Sequence, residues 1–300
     1  MALAAALWGA SYMFIKVALD DGVSEGAIIF IRTLLGAAVL VPLALRAGAL
    51  QPLLERGWWN VVVAGLQVIV PFALITWGEN HVPSALAGIL VASSPLFIAL
   101  LATRIDHAER AHGWGLVGVL LGMAGVVLLF GVDLSGDAET IIGGLMIVGA
   151  ALCYALAALV VKRKFTGVPS VGVAASTIAI SAVVYLPLAA ATFPTSVPGV
   201  DTVASLFVLG AGGTGLAFLI YYALIANYGP ARAAVIAYIA PAFAVVYGFA
   251  LLGEDITAGT IAGMVLILAG SWLVAQGRLP GWLSRTAPSR SSVPAPARAR

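Results

Sequence analysis

The sequence contains few charged residues for its length. It has 15 Lys and Arg and 13 Asp and Glu in 300 residues, so 9% are charged and the net charge is +2. Soluble domains carry about 25% charged residues. A chain this poor in charge cannot cover a globule with polar surface, which excludes a soluble enzyme. The small net charge also gives no electrostatic basis for binding nucleic acid.

Cysteine is nearly absent. Cys153 is the single cysteine in the sequence, which excludes an intrachain disulfide framework and a cysteine-cluster metal site. No Walker-type glycine loop is present, which argues against an ATP-driven motor. No polar stretch is long enough to form a soluble domain. We therefore expect no catalytic residue, no metal and no cofactor.

Hydrophobic residues dominate what is present. They make up 62% of the chain, and the mean hydropathy is +1.07. A transmembrane helix needs about 20 mostly apolar residues. Ten segments meet this requirement: 2–19, 27–45, 57–78, 84–104, 113–131, 140–162, 170–192, 202–225, 231–252 and 258–276. The first begins without a preceding basic region, so we interpret it as a span rather than a cleaved signal peptide. The pattern predicts an all-α polytopic membrane protein.

The charges are sorted by loop. The even-numbered loops and the C-terminal tail hold every basic residue except Lys16 and Arg32: Arg46, Arg56, Arg104, Arg110, Lys162, Arg163, Lys164, Arg232, Arg278, Arg285, Arg290, Arg298 and Arg300. The odd-numbered loops hold acids instead: Asp20, Asp21, Glu25, Glu79, Asp133, Asp137, Glu139, Asp201, Glu254 and Asp255. Basic loops stay cytoplasmic. We therefore expect both termini in the cytoplasm and interpret residues 277–300 as a disordered basic cytoplasmic tail.

The two halves of the chain resemble each other. The repeated residues, each given with its counterpart, are Pro95 and Pro241, Glu109 and Glu254, Gly118 and Gly263, and Gly125 and Gly270. Each half has five predicted spans, an odd number, so the second copy enters the membrane inverted. This divides the chain into repeats at 1–131 and 139–276. Inverted repeats are the architecture of many secondary transporters, with a substrate site near the midplane between the repeats.

Several short motifs carry a family resemblance. They are Trp8-Gly9-Ala10-Ser11 with Lys16, Arg32, the run from Ala85 to Ser94-Pro95, Gly229-Pro230-Ala231-Arg232, Tyr238 to Pro241, and Gly253-Glu254. With these motifs in order over about residues 1–276, the chain resembles the drug/metabolite transporter superfamily of ten-helix EamA-type exporters. Within it, the chain is similar to the YddG-like amino-acid exporters.

The resemblance implies a function and a location. It implies a secondary transporter of the bacterial inner (plasma) membrane that functions as a monomer. Its partners are the lipid bilayer and a small-molecule substrate, namely amino acids or related metabolites. The substrate cavity would lie between the repeats and be bounded by spans 1, 3, 4, 6, 8 and 9.

Pro95 and Pro241 are candidate hinges. Each lies inside a predicted span, where proline removes one backbone hydrogen bond and displaces the carbonyl four residues earlier. A freed carbonyl must face protein or a wet cavity. The alternative is a passive kink that a neighbouring helix satisfies. Ser93 and Ser94 precede Pro95 and are candidate cavity residues, with ordinary hydroxyl-to-backbone bonding as their alternative.

Span 1 presents Trp8, Tyr12 and Lys16 on one face, because residues four apart align on a helix. Ser11 is adjacent. This face could line a pore, with the lysine meeting a substrate carboxylate. The alternative is an interfacial aromatic belt with Lys16 extending outward to Asp20.

Arg32 is the other cation inside a span. It lies near the outer end of span 2, so we interpret it as structural, paired with Glu25 or Asp21. Further cavity candidates are Trp77, Glu79, Tyr154, Tyr222 and Tyr238, with Gln67, Thr76 and Tyr221 as additional polar or aromatic positions.

Three functions are compatible with this pattern. The leading hypothesis is export of small metabolites, above all amino acids, by alternating access. The alternative is a multidrug exporter of aromatic cations, which would need an acidic residue in the cavity. Glu79 is the acid nearest to a span, so proton coupling runs through Glu79 or is weak or absent. A membrane-embedded enzyme is the third hypothesis and lacks a nucleophile with a base.

Overall fold

The structure is a computed structural model that describes residues 1–105, 113–133, 137–194, 198–228 and 235–276. The side chains of Thr103, Ile105, Tyr222, Ile225 and Ala226 are outside the description. The sequence features predicted at Glu109, at Gly229-Pro230-Ala231-Arg232 and in the tail 277–300 also lie outside the described residues.

Among the described residues, ten helices are long and apolar enough to cross a membrane. We number them span 1 to span 10: Ala2–Asp20, Glu25–Arg46, Trp59–Gly78, 84–105, Trp114–Val132, Ala138–Lys164, Ser170–Thr192, 200–228, Val235–Leu252 and Ala258–Gln276. A short helix, Gln51–Leu54, lies between spans 2 and 3. No strand occurs among the described residues. The predicted ten-helix all-α membrane protein is therefore confirmed.

Three spans are interrupted. Span 3 consists of Trp59–Ala64, a π-helical turn Gly65–Ile69 and Val70–Gly78, and span 8 of Val200–Phe207, a π-helical segment Val208–Leu216 and Ala217–Tyr228. Span 4 consists of Ser84–Val91 and Ser94–Ile105.

The π turns have local causes. In span 3, Pro71 has no N–H to donate back into the turn before it, which disrupts the regular α-helical bonding there. In span 8, the run from Gly210 to Gly215 is conformationally permissive. The hydroxyl of Thr214 donates to the carbonyl of Leu209 five residues earlier (3.1 Å). Such turns occur frequently at functional sites.

The odd-numbered loops meet at one end of the molecule, which we call the acidic end. The Asp21 carboxylate accepts hydrogen bonds from the Thr202 hydroxyl (2.7 Å) and the Gly199 N–H (3.1 Å), and these bonds lower the pKa of Asp21. The Asn80 amide donates to Glu25 (2.8 Å). The first loop is thus bonded to the third and the seventh.

The fifth and ninth loops complete the acidic end. The Thr257 hydroxyl donates to Asp133 (2.6 Å), joining the ninth loop to the fifth. The Glu254 carboxylate accepts hydrogen bonds from the backbone N–H groups of Ser84 and Ala85, so it caps the N-terminus of span 4.

The second and sixth loops meet at the opposite end, which we call the basic end. The Arg56 guanidinium donates to the Thr166 carbonyl (3.3 Å), and the Lys164 ammonium lies 4.7 Å from the centre of the Trp59 ring. The contacts therefore separate the described loops in the same way as the loop charges do.

Spans 5 and 10 pack closely through the repeated glycines. A Cβ at Gly118 would stand 2.6 Å from the Gly270 carbonyl oxygen, and one at Gly125 would stand 2.9 Å from the Gly263 carbonyl oxygen. Such distances leave no room for a side chain. Span 2 packs against spans 7 and 8, span 1 against span 9, and span 3 against span 6. These pairings leave a central space between the two halves.

Candidate functional site

A cavity of about 620 Å³ lies between the two halves. Spans 1, 3, 4, 6, 8 and 9 line it, which are the helices that the resemblance implied. Arg32 of span 2 and Val173 of span 7 line it as well. The volume falls within the range of about 300–1,000 Å³ that is usual for small-molecule sites.

The cavity reaches the basic end. Its lining includes Lys162, Phe165, Thr166 and Ser170, around the loop that joins spans 6 and 7. Thr166 and Ser170 are exposed. The mouth of the cavity is therefore at this end.

Toward the acidic end an apolar layer closes the cavity. Ile15 and Ile75 line the cavity and belong to a buried cluster that also contains Ala18, Val23 and Leu206. Beyond this layer lie the hydrogen bonds among the odd-numbered loops. The structure is thus open at one end and sealed at the other.

The structure brings most of the predicted site residues together. Those that line the cavity are Trp8, Ser11, Tyr12, Ser94, Tyr154, Tyr238, Pro95 and Pro241. Those outside its lining are Lys16, Trp77, Glu79 and Ser93. The side chain of Tyr222 lies outside the described residues.

Trp8 is part of an aromatic wall. Its ring lies 5.6 Å from that of Phe218 in an edge-on arrangement and 5.2 Å from that of Tyr221, both on span 8. Phe218 and Tyr221 line the cavity too. The wall places Trp8 in the cavity rather than in an interfacial belt.

Lys16 lies outside the cavity because span 1 extends beyond the closed end of the cavity. One helical turn beyond Tyr12 adds about 6 Å along the axis. There the ammonium donates to the Glu79 carbonyl (3.2 Å) and lies 3.5 Å from Asp20. The outward orientation toward Asp20 is the one adopted.

Glu79 and Trp77 lie near the same closed end. Trp77 packs on a second apolar cluster that contains Ile29, Val68 and Phe72 rather than facing the cavity. Glu79 follows span 3 directly and is fully buried, and neither carboxylate oxygen has a hydrogen-bond partner among the described residues. Burial raises the pKa of Glu79 well above its usual range.

Arg32 is not paired as the sequence suggested. Glu25 accepts from Asn80, and Asp21 accepts from Thr202 and Gly199. Nε of Arg32 instead donates to the Thr214 hydroxyl in the π-helical segment of span 8 (3.0 Å). Its guanidinium lies over the ring of Phe72, 3.8 Å from the ring centre.

The break in span 4 is bonded to span 10. The Ala92 carbonyl accepts a hydrogen bond from the Ser271 hydroxyl (3.1 Å), and the Ser94 hydroxyl donates to the Ala151 carbonyl (3.0 Å). Ser93 is fully buried and donates to the Leu90 carbonyl (2.6 Å), the ordinary hydroxyl-to-backbone bond. Pro95 lies in the first turn of the helix after the break, Ser94–Ile105, so it does not bend a continuous helix.

The two prolines therefore differ in their local structure. Pro241 lies inside the continuous helix of span 9. One turn before it, the Tyr238 hydroxyl donates to the Ser271 carbonyl (3.3 Å). Ser271 thus joins span 9 to the break in span 4. The sequence offered no signal for this role, because a lone serine in an apolar span is most simply a packing residue.

Gln67 is a further polar residue of the lining. It lies in the π turn of span 3, and its buried Oε1 has no hydrogen-bond partner among the described residues. Among the described residues of the cavity wall, the charged ones are Arg32 and Lys162, both cations. No group of three potential metal ligands occurs in the part of the chain that the structure describes.

Two segments of the chain match the family described as "EamA-like transporter family", residues 1–131 and 141–276. The chain is 28% identical over 280 residues to "Uncharacterized inner membrane transporter YedA" of Escherichia coli (strain K12), covering 89% of each chain. It is 24% identical over 288 residues to a Salmonella typhimurium protein described as "Probable amino-acid metabolite efflux pump", covering 90% of this chain and 92% of that one.

A solved structure described as "Crystal structure of protein" shares the fold. Its TM-score is 0.65 at 22% sequence identity, covering 95% of this chain and 96% of that chain. Its agreement over nearly the whole length supports the arrangement of the ten spans.

Proposed function

The chain belongs to the EamA-like transporter family, and on that premise we propose that it exports small metabolites, above all amino acids, by alternating access. The cavity between the two halves carries this proposal. It is large enough for an amino acid, is lined by aromatic rings and hydroxyls, and is open at one end only.

The loop charges give the direction. The basic end faces the cytoplasm under the positive-inside rule, so both termini are cytoplasmic. The cavity of this structure then opens toward the cytoplasm, where a substrate for export would enter. Opening of the acidic end would release it outside.

The symmetry of the packing supports the alternation. Span 1 packs on span 9 as span 6 packs on span 4, and span 2 packs on span 8 as span 7 packs on span 3. Exchanging the two halves converts each pair into the other. An inverted repeat of this kind can adopt a second state in which the closed end opens and the open end closes.

Substrate counterflow in proteoliposomes tests the proposal. Vesicles that contain the protein are loaded with an unlabelled amino-acid mixture, and uptake of single labelled amino acids is measured. We expect transient accumulation of at least one amino acid that protein-free vesicles do not show. Failure to move any amino acid would contradict the proposal.

The aromatic-cation alternative is less consistent with the lining. Two cations and no acid are among the charged residues described in the cavity wall. A cationic drug would therefore meet repulsion where a carboxylate-bearing metabolite meets attraction.

A further inference from the structure

Arg32 is a buried cation in a membrane span. The residue is 8% exposed and lines the cavity. No carboxylate lies within 4.0 Å of its guanidinium among the described residues. Glu79 makes no ion pair with it either. A charge in a span without a counter-ion is costly and marks a functional site by default.

The neighbours of Arg32 fix its orientation. Thr214 accepts from Nε, and the Phe72 ring covers one face of the guanidinium. The two terminal nitrogens make no further hydrogen bond within the described part of the chain. The free edge of a guanidinium presents parallel N–H groups that match the two oxygens of a carboxylate.

We propose that Arg32 binds the carboxylate of a zwitterionic substrate, an α-amino acid, in the closed end of the cavity. This inference rests on the proposed function and names the residue that recognises the carboxylate of its substrate. The bound carboxylate supplies the counter-charge that the protein does not provide, so binding removes the cost of the isolated cation.

Gln67 provides the second pole of the site. Its unpartnered Oε1 is a hydrogen-bond acceptor, which suits the N–H groups of an ammonium. Gln67 precedes Phe72 by five residues in span 3, about 7.5 Å along the helix. The amide therefore lies on the mouth side of the guanidinium. The aromatic wall of Trp8, Phe218 and Tyr221 borders the same cavity and suits a large apolar side chain.

The site also links the two halves of the protein. Arg32 is on span 2 and its partner Thr214 is on span 8, whereas Phe72 is on span 3. A carboxylate bound to Arg32 therefore contacts a residue whose side chain packs against both halves. This connects substrate binding to the contact between the halves.

A series of analogues tests the assignment in the wild-type protein. Counterflow is measured for phenylalanine, for its methyl ester, which lacks the carboxylate charge, and for phenethylamine, which lacks the carboxylate. We expect transport of phenylalanine and at least a tenfold lower rate for both analogues. If the ester or the amine is carried as well as the amino acid, transport stands and the carboxylate site is wrong.

A substitution series tests the residue. Arg32→Gln should raise the KM for phenylalanine about 10- to 100-fold, as expected for loss of a charge-assisted hydrogen bond, and should not slow the transport of phenethylamine, whose ammonium group the guanidinium repels. Arg46→Gln makes the same change at an exposed position of the same span and should leave both unchanged. Equal losses for all substrates in Arg32→Gln would assign Arg32 a structural role and overturn the proposal.

Arg32→Lys covers the case in which Arg32→Gln does not fold. Lysine keeps the charge without the paired donors, so we expect intermediate KM values for phenylalanine. A wild-type KM in Arg32→Lys would contradict bidentate binding. Transport of carboxylate-free solutes as fast as amino acids would overturn this inference alone, whereas the absence of all amino-acid transport would overturn the proposed function with it.

Discussion

At the scale of single residues, Glu79 is the most unusual group. It is fully buried, its carboxylate has no partner among the described residues, and burial raises its pKa. An acid whose folded pKa is raised weakens the fold once the pH exceeds its unfolded pKa, near 4.3. Below that value the penalty is absent, because the acid is protonated in both states.

Glu79→Gln should therefore stabilise the protein at neutral pH. We expect a gain of about 1–3 kcal/mol at pH 7.5, because glutamine does not ionise in the unfolded state and each unit of a raised pKa costs about 1.4 kcal/mol, and a smaller gain as the pH falls toward 4.5. Thermal unfolding in detergent at a series of pH values measures it. Glu55→Gln, at an exposed position, is the control and should change little. A gain independent of pH would contradict a raised pKa.

The sequence predicted some of the single residues and missed others for physical reasons. The helical period placed Trp8 and Tyr12 on one face, and both line the cavity. The same period also placed Lys16 on this face, although Lys16 lies outside the cavity. Helical periodicity contains no information on where along the helix the cavity ends. Arg32 was assigned to nearby acids, whereas its partner Thr214 is 182 positions away. Such contacts depend on the tertiary fold.

At the scale of elements, span 9 contains a proline inside a continuous helix. Pro241 lines the cavity, and Tyr238 one turn earlier is bonded to Ser271. Pro241→Ala restores the backbone hydrogen-bond donor that proline lacks and makes the helix stiffer, so we expect slower counterflow with normal insertion. Transport rate and the amount of protein in the membrane are measured together. A normal rate in Pro241→Ala would exclude the hinge.

Spans 5 and 10 depend on glycine for their close approach. A Cβ at Gly118 would meet the Gly270 carbonyl and the Leu273 side chain at 2.6 and 2.7 Å. Gly118→Ala should therefore cost about 1–3 kcal/mol, as overpacking does. Thermal unfolding in detergent measures the loss.

Gly131 provides the matched control for that change. It lies in the same span with no atom within 4 Å of an added Cβ. Gly131→Ala should be neutral or slightly stabilising, because alanine favours the helix over glycine. Equal losses at Gly118 and Gly131 would show that close packing is not the cause.

The sequence predicted the elements better than their interruptions. Runs of about 20 apolar residues suffice to locate spans, and span 7 has the predicted bounds of 170–192. The break in span 4 lies at Ala92 and Ser93, just before the predicted hinge Pro95. The π turns were missed, because hydrophobic length does not distinguish α from π bonding. In span 8 the signal was the run of glycines with Thr214 among them.

At the scale of the whole molecule, the scarce charges predicted the two ends. The acids of the odd-numbered loops bond across loops at one end, and Arg56 and Lys164 make contacts at the other. The cavity could not be predicted in the same way. Its volume and its closed end depend on how eight spans pack, which loop charges do not describe.

Alternating access of this cavity is the central claim, and side-specific thiol labelling tests it most directly. In a Cys153→Ser background, which removes the single native cysteine, Ala92→Cys places a thiol on the cavity wall. A membrane-impermeant maleimide is added to either face of oriented vesicles. Thr166→Cys, exposed at the basic end, is the control and should react from that face alone. We predict that Ala92→Cys reacts from both faces, faster from the acidic-end face when substrate is present. Reaction from the basic-end face alone, with and without substrate, would contradict the account.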